Sequence, residues 1–148
     1  MRVRISYPQT AAKGIVHIPP SKSMAHRAII CACLAHGRSV IDNISYSEDI
    51  KATIAAMQQL GVQVEAEPDR LVIDGRGFVV GAGFARSIDY VNCNESGSTL
   101  RFLIPIFSLT GASVSFTGAP RLFERPQKIY ENIFKEQGLS FIQDKGIT

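Results

Sequence analysis

Two short segments of the sequence combine small polar residues with an arginine where a helix is predicted to begin. In the first, Lys22 lies in a Ser-Lys-Ser triplet, and Arg27 follows Ser23 by four residues, one helical turn away. Free backbone N–H groups and the positive end of the helix dipole can hold an anion at such a position. The pattern predicts a phosphate or carboxylate site, with a simple serine cap as the alternative.

The second segment repeats this arrangement later in the chain. Glu95 and Ser96 precede Gly97, and Arg101 lies four residues beyond that glycine. Two helix starts of this kind on one fold suggest a pair of acidic ligands.

Further positive charge is concentrated in two places. Residues 1–41 contain six Lys and Arg side chains and no Asp or Glu, whereas residues 42–75 contain seven acids. Near the end of the chain, Arg125 stands directly before Pro126 and is a candidate for a bidentate grip on a carboxylate or phosphate. Arg121 and Lys128, in the same basic cluster, are interpreted as solvated surface.

The elements that position these residues are predicted to form two copies of one α/β unit. Matches recur at an offset of 74 residues, and a last pair follows at 77: Arg27 with Arg101, Gly37 with Gly111, Ser39 with Ser113, Val40 with Val114, and Gly61 with Gly138. We expect residues 1–13 to form an N-terminal strand that pairs with a further domain. The first repeat is predicted at 14–82, and the second, incomplete at its C-terminal end, at 83–148.

Within the first copy, a helix is predicted over 23–35, closed by a left-handed Gly37, and a strand follows at 39–41. Ser47 is predicted to cap a second helix that ends before Gly61, and a hairpin covers 62–66 and 71–73.

The second copy is predicted to contain a helix over 97–109, kinked or broken at Pro105, and a strand over 113–117. A last helix with Pro126 in its first turn ends before Gly138, and any strand after it is short or absent.

Composition places the chain among soluble globular proteins. No stretch approaches the ~18 apolar residues of a membrane span, and the N-terminus lacks the apolar block of a secretory signal. A cytoplasmic protein without a membrane partner is expected. Cys31, Cys33 and Cys93 have no zinc spacing and are interpreted as buried thiols, so no metal site is predicted.

Four segments in order resemble the signatures of 5-enolpyruvylshikimate-3-phosphate synthases. They are SKS with its following arginine, NISYSEDI, ESGSTLRF and GAPRLFERP, and the resemblance extends from about Lys13 onward. It implies the α/β enolpyruvyl transferase fold, in which each of two domains contains three βαβαββ units that close on the substrates. About two units are present, which indicates a truncated chain, with a compact two-repeat domain that ends in a frayed tail as the alternative.

The resemblance also implies a reaction. The family transfers the enolpyruvyl group of phosphoenolpyruvate to the 5-hydroxyl of shikimate 3-phosphate and releases phosphate, without metal, nucleotide or other cofactor. Lys22, Ser23 and Arg27 would bind shikimate 3-phosphate. Lys22 would also lie near phosphoenolpyruvate, which Gly97 and Arg125 would hold.

Other motif positions are assigned less direct roles by the resemblance. Asp49 would join Lys22 as a catalytic candidate, and Arg101 would support the site, although either could be structural. The family usually has glycine where this chain has Pro20, and asparagine where it has Glu95. A carboxylate beside an anion site would oppose binding unless it is turned away or paired.

The isolated chain is expected to fold at least partly, bind anions weakly and not turn over, because it lacks the opposing C-terminal domain. An enolpyruvyl transferase acting on a UDP-sugar is the second interpretation. A nucleic-acid-binding module is another, and the absence of Trp and of aromatic residues among the basic ones counts against it. A structural fragment with vestigial anion sites is the last.

Overall fold

The computed structural model describes residues 3–4, 13–81 and 87–143. Helices and strands alternate through most of this part of the chain. In chain order they are α1 (Lys22–Leu34), β1 (Arg38–Asp42), α2 (Glu48–Gln59), β2 (Gln63–Ala66), β3 (Arg70–Asp74), β4 (Tyr90–Asn92), α3 (Gly97–Ser108), β5 (Ser115–Thr117), α4 (Pro120–Phe123) and α5 (Lys128–Glu136). Among the described helices, none is both long and apolar enough to cross a membrane.

The part of the chain that is predicted as the first copy forms a three-stranded antiparallel sheet with β3 in the centre. The strand order is β1-β3-β2, and β3 pairs with both neighbours, with Val72 opposite Val40 on one side and Glu65 on the other. Leu71, Val72 and Ile73 are all buried. The central strand therefore contains a continuous apolar run, while the residues of β1 alternate between exposed and half-buried positions.

The second copy contains a parallel pair that the sequence did not predict. Strands β4 and β5 lie side by side, with Val91 opposite Phe116 and Asn92 opposite Thr117. Parallel neighbours require a crossover connection, and α3 lies between them in the chain. A β4 of three residues has little local signal, because its partner lies more than twenty residues away.

One hydrophobic core joins both copies. It is formed by buried apolar side chains from α1, α2 and β3 of the first copy and from β4 and α3 of the second, among them Ile29, Ile50, Met57, Leu71, Ile73, Val91, Leu103 and Phe107. Helix α2 contacts α1 on one side and α3 on the other. The two parts of the chain that are predicted as repeats therefore share an interior.

Helices α1, α2 and α3 each begin at a serine N-cap. The hydroxyl of Ser21 accepts from Met24 N, that of Ser47 from Ile50 N, and that of Ser96 from Thr99 N. The predicted cap at Ser47 is confirmed, and Glu48 and Asp49 occupy the first turn of α2, where the dipole favours negative charge.

Two predictions about helix ends and thiols are wrong. Helix α1 ends at Leu34 with Ala35 as an extended C-cap, so Gly37 is not a left-handed cap. The left-handed conformation occurs instead at Gly61 and Gly138, after α2 and α5. Cys31 is exposed on α1, whereas Cys33 and Cys93 are buried as expected. An apolar run on a helix does not bury every face.

Of the kink or break predicted at Pro105, the break is wrong, because α3 continues through Pro105 to Ser108. A proline has no N–H to donate to the carbonyl four residues earlier, here that of Arg101. The hydroxyl of Tyr130 donates to this carbonyl instead, at 2.6 Å. A side chain of α5 thus satisfies the backbone group that the proline leaves free.

The region before the last helix differs from its prediction. Pro126 lies in a loop before α5, which begins at Lys128, and a separate short helix, α4, begins at Pro120. Residues 139–143 form no strand, as expected. Most of the predicted N-terminal strand at 1–13 and the boundary between 82 and 83 lie outside the described residues.

The turn after β3 packs backbone against backbone. A Cβ atom on Gly75 would lie 2.1 Å from the carbonyl oxygen of Ala35, and one on Gly77 would lie 2.2 Å from that of Gly61. The amide of Gly75 also donates to Gly37 O at 2.9 Å. This turn fits against the C-terminal ends of α1 and α2 only because both positions lack a side chain.

Candidate anion site at three helix starts

The starts of α1 and α2 are joined by an ion pair. The ammonium of Lys22, the first residue of α1, pairs with the carboxylate of Asp49, the second residue of α2. The Lys22 side chain remains about half exposed, whereas the Asp49 side chain is 23% exposed. The lysine can therefore still meet a ligand from solvent while the carboxylate holds it at the helix start.

Arg27 connects the first copy with the second. One of its terminal nitrogens donates to the carbonyl of Ser23 at 2.8 Å, and its guanidinium carbon lies 5.2 Å from the centroid of the Phe102 ring on α3. A guanidinium over an aromatic face is attracted by the ring quadrupole, by roughly 0.5–1 kcal/mol at an exposed site. Ser23 and Arg27 are both exposed, so their remaining donors are open to solvent.

Gly97 and Arg125 are in direct contact. A Cβ atom added to Gly97 would lie only 2.6 Å from a terminal nitrogen of Arg125. The guanidinium thus lies against the first residue of α3, where the free amides and the positive end of the dipole also favour an anion. Within the described residues, neither Arg125 nor Arg27 forms an ion pair with a carboxylate.

The two remaining motif residues, Glu95 and Arg101, lie in different surroundings. Glu95 is exposed at the rim of an open hollow of about 480 Å³, lined also by Asn92, Asn94, Thr117, Gly118 and Ala119. Arg101 faces the last helix, since its Nε lies 3.5 Å from the side-chain oxygen of Gln127, the buried residue before α5. Of the two roles left open for Arg101, this contact favours the structural one.

A buried polar cluster beneath the helix starts was missed by the sequence analysis. His26 and Thr53 are essentially inaccessible, and His26 Nδ1 lies 2.8 Å from the Thr53 hydroxyl. Burial lowers the pKa of His26, Lys22 and Arg27 lower it further, and Asp49 partly opposes them. The available signal was a histidine and a threonine at positions where the helical pattern calls for apolar residues.

The thiols are unsuited to chemistry at this site. Burial raises the pKa of Cys33 and of Cys93 to about 12, so both remain protonated and inert at neutral pH. No group of three or more His, Cys, Asp or Glu side chains suited to a metal ion occurs in the part of the chain that the structure describes.

Comparison with known proteins decides the family. The family model for EPSP synthase (3-phosphoshikimate 1-carboxyvinyltransferase) matches residues 6–141. The chain belongs to the EPSP synthase family. The 3-phosphoshikimate 1-carboxyvinyltransferase of Clostridium perfringens (strain 13 / Type A) is 49% identical over 129 residues, covering 87% of this chain and 30% of the relative. That of Clostridium kluyveri is 43% identical over 142 residues, covering 96% and 32%.

Solved structures of the EPSP synthase family give the same result. The EPSP synthase from Acinetobacter baumannii superposes with a TM-score of 0.75 at 25% identity, covering 91% of this chain and 31% of that one. The predicted α/β enolpyruvyl transferase fold is thereby confirmed. The chain spans about a third of the length of the relatives it matches.

Proposed function

We propose that this chain contributes part of the substrate site of an enzyme that transfers the enolpyruvyl group of phosphoenolpyruvate to the 5-hydroxyl of shikimate 3-phosphate. The observation that carries the proposal is the cationic surface at the joined helix starts. Lys22 and Arg27 lie at the start of α1, and Arg125 lies against the start of α3. Both substrates are polyanions, and such positions attract anions.

The proposed roles follow the geometry. Lys22, Ser23 and Arg27 bind the phosphate of shikimate 3-phosphate through exposed donors on one turn of α1. Arg125 and the amide of Gly97 bind phosphoenolpyruvate, with Lys22 between the two ligands. Asp49 holds the Lys22 ammonium in place, and a charge fixed before the reaction begins stabilises developing negative charge at little reorganisation cost.

The isolated 148-residue chain is proposed to bind these ligands weakly and not to catalyse the reaction. Catalysis by positioning needs walls on both sides of the substrates and exclusion of water. The remaining two thirds of the relatives' length would supply the opposing wall, as a partner domain. Lys22, Ser23, Arg27 and Arg125 are exposed in this chain, and Asp49 and Gly97 are half-buried.

Titration of the chain with shikimate 3-phosphate, phosphoenolpyruvate and UDP-N-acetylglucosamine tests the proposal. Amide shifts near Lys22 and Arg27 should move with shikimate 3-phosphate, and Arg27→Gln should weaken its binding about tenfold, the loss of one charge-assisted contact. Lys135→Gln, which removes a positive charge from the last turn of α5, is the matched control.

Three outcomes would contradict the proposal. Tighter binding of the UDP-sugar would favour the related transferase instead. An equal loss of binding in both variants would indicate nonspecific charge attraction. Phosphate release at enzyme-like rates by the chain alone would contradict the proposed need for a second domain.

A further inference from the structure

A line of buried side chains connects the first three helices beneath the candidate site. The Thr53 hydroxyl on α2 lies 2.8 Å from His26 Nδ1 on α1 and 2.7 Å from the Thr99 hydroxyl on α3. The Thr99 hydroxyl lies 2.6 Å from that of Ser96. All four residues are at most 1% exposed. We call this line the hydroxyl line, and it consists of His26, Thr53, Thr99 and Ser96.

The hydroxyl line converges on the backbone of Asp49. Its carbonyl oxygen lies 3.3 Å from the Thr53 hydroxyl and 3.2 Å from the Thr99 hydroxyl, while its carboxylate pairs with Lys22. The Asp49 carbonyl can therefore accept a hydrogen bond from either threonine, one from each predicted copy. The side chain of the same residue pairs with Lys22, so the hydroxyl line and the lysine meet at Asp49.

The same line fixes the start of α3. Ser96 caps this helix by accepting from Thr99 N at 3.1 Å, and Gly97 follows it directly. A shift of the Thr99 side chain would therefore affect both the carbonyl of Asp49 and the cap that precedes Gly97. The Lys22 and Gly97 positions are linked through shared hydrogen bonds rather than through a common strand.

The position of the His26 proton determines which groups donate and which accept along the hydroxyl line. His26 Nε2 has no hydrogen-bond partner among the described residues. A buried N–H without an acceptor is rarer in proteins than an unused acceptor, so the proton belongs on Nδ1, where it is donated to Thr53. The threonine hydroxyls are then free to donate onward to Thr99, Ser96 or the Asp49 carbonyl.

We propose that Thr53 and Thr99 are positioning residues, which hold Asp49 and the cap of α3 so that Lys22 and Gly97 meet the two anions as one unit. The proposal rests on the proposed function, because it assigns these two positions to a shared site. Both threonines are fully buried, so neither is assigned a contact with the ligands.

The test compares valine, which matches threonine in shape but lacks the hydroxyl, with serine, which keeps the hydroxyl. Thr99→Val should weaken binding of inorganic phosphate and of shikimate 3-phosphate about five- to tenfold, and Thr99→Ser should stay within about twofold of the unmodified chain. Thr110→Val is the matched control. Thr110 is also buried, and its hydroxyl bonds to Phe107 O at 2.8 Å, away from the line.

A second measurement reports on the line without any ligand. Nitrogen-15 shifts of the His26 imidazole should show the proton on Nδ1 in the unmodified chain. They should change in Thr53→Val, which removes the partner of Nδ1, and remain unchanged in Thr110→Val. This measurement distinguishes the two proposals. If no ligand bound, the proposed function would be contradicted. The imidazole shifts would still test whether the hydroxyl line forms.

Either of two results would overturn the positioning role. One is a folded Thr99→Val chain that binds phosphate as tightly as the unmodified chain. The other is a neutral His26 with its proton on Nε2 in the unmodified chain, a measurement that needs no variant to fold.

Discussion

At Gly97, the absence of a side chain determines how closely a guanidinium approaches the start of α3. Gly97→Ala would place a methyl group 2.6 Å from the Arg125 nitrogen, so the arginine must move away. Phosphoenolpyruvate affinity should fall about tenfold, while the urea midpoint of unfolding should change little because alanine suits a helix. Calorimetric titration and urea denaturation measure the two quantities.

Gly37→Ala is the control for this substitution. An added Cβ at Gly37 would meet nothing within 4 Å, and its backbone is not left-handed. Equal phosphoenolpyruvate affinity in the Gly97→Ala and unmodified chains would mean that the contact with Arg125 has no role in binding.

The hydrogen bond between α5 and the backbone of α3 can be tested by substitution. Tyr130→Phe removes the donor to the Arg101 carbonyl and should lower the free energy of unfolding by about 1 kcal/mol. In a Pro105→Ala background, residue 105 regains an N–H that can bond to the same carbonyl. Tyr130→Phe should then cost about 0.5 kcal/mol less, as measured by a urea double-mutant cycle.

Additive effects in this cycle would show that the Tyr130 hydroxyl does not replace the missing helical hydrogen bond. Pro105→Ala alone serves as the internal control, since it shows what the proline contributes without any change at Tyr130.

Packing of α1 against α2 should make stability depend on pH through His26. Burial keeps the folded-state pKa of His26 below its unfolded value of about 6.5, so the unfolded chain binds more protons below that pH. The free energy of unfolding should therefore decline as pH falls from about 6.5 toward 5. His26→Asn should flatten this slope.

Charged groups near the imidazole also shift the pKa of His26. Lys22 and Arg27 on its own helix strengthen the pKa shift, and Asp49 on α2 weakens it. Hydrogen bonds from Arg76 lower the pKa of the Asp74 carboxyl to about 2. Asp74 therefore titrates at lower pH and does not contribute to the slope between about 6.5 and 5. An unchanged slope in His26→Asn would contradict the assignment.

Helix starts and the antiparallel hairpin were predictable because their signals are local. Ser47 with two acids after it identifies a helix start, and the Pro68-Asp69 pair marks a turn between apolar runs. Pro105 misled the prediction, since its disruption of the helix is compensated by Tyr130, 25 residues later. The proximity of Gly97 to Arg125 came only from the family resemblance, because nothing in local spacing implies it.

At the scale of the whole molecule, the shared core predicts cooperative unfolding of both copies. Cys33 lies in the first copy and Cys93 in the second, and both are fully buried. In a Cys31→Ser chain, which lacks the exposed thiol, both should become reactive toward a thiol reagent over the same range of urea concentration. Pulsed labelling with mass spectrometry measures the two thiols separately. Exposure of Cys93 at a lower urea concentration than Cys33 would show that the second copy unfolds on its own.

The close approach of Gly75 and Gly77 to the ends of α1 and α2 also restricts how this protein can be altered. With main-chain oxygens 2.1 and 2.2 Å from where a methyl group would sit, nothing flexible is available to move aside. Loop grafting or random mutagenesis should therefore find this turn among the least tolerant parts of the chain. Gly14, whose surroundings are open, is a far better place to attach a reporter group.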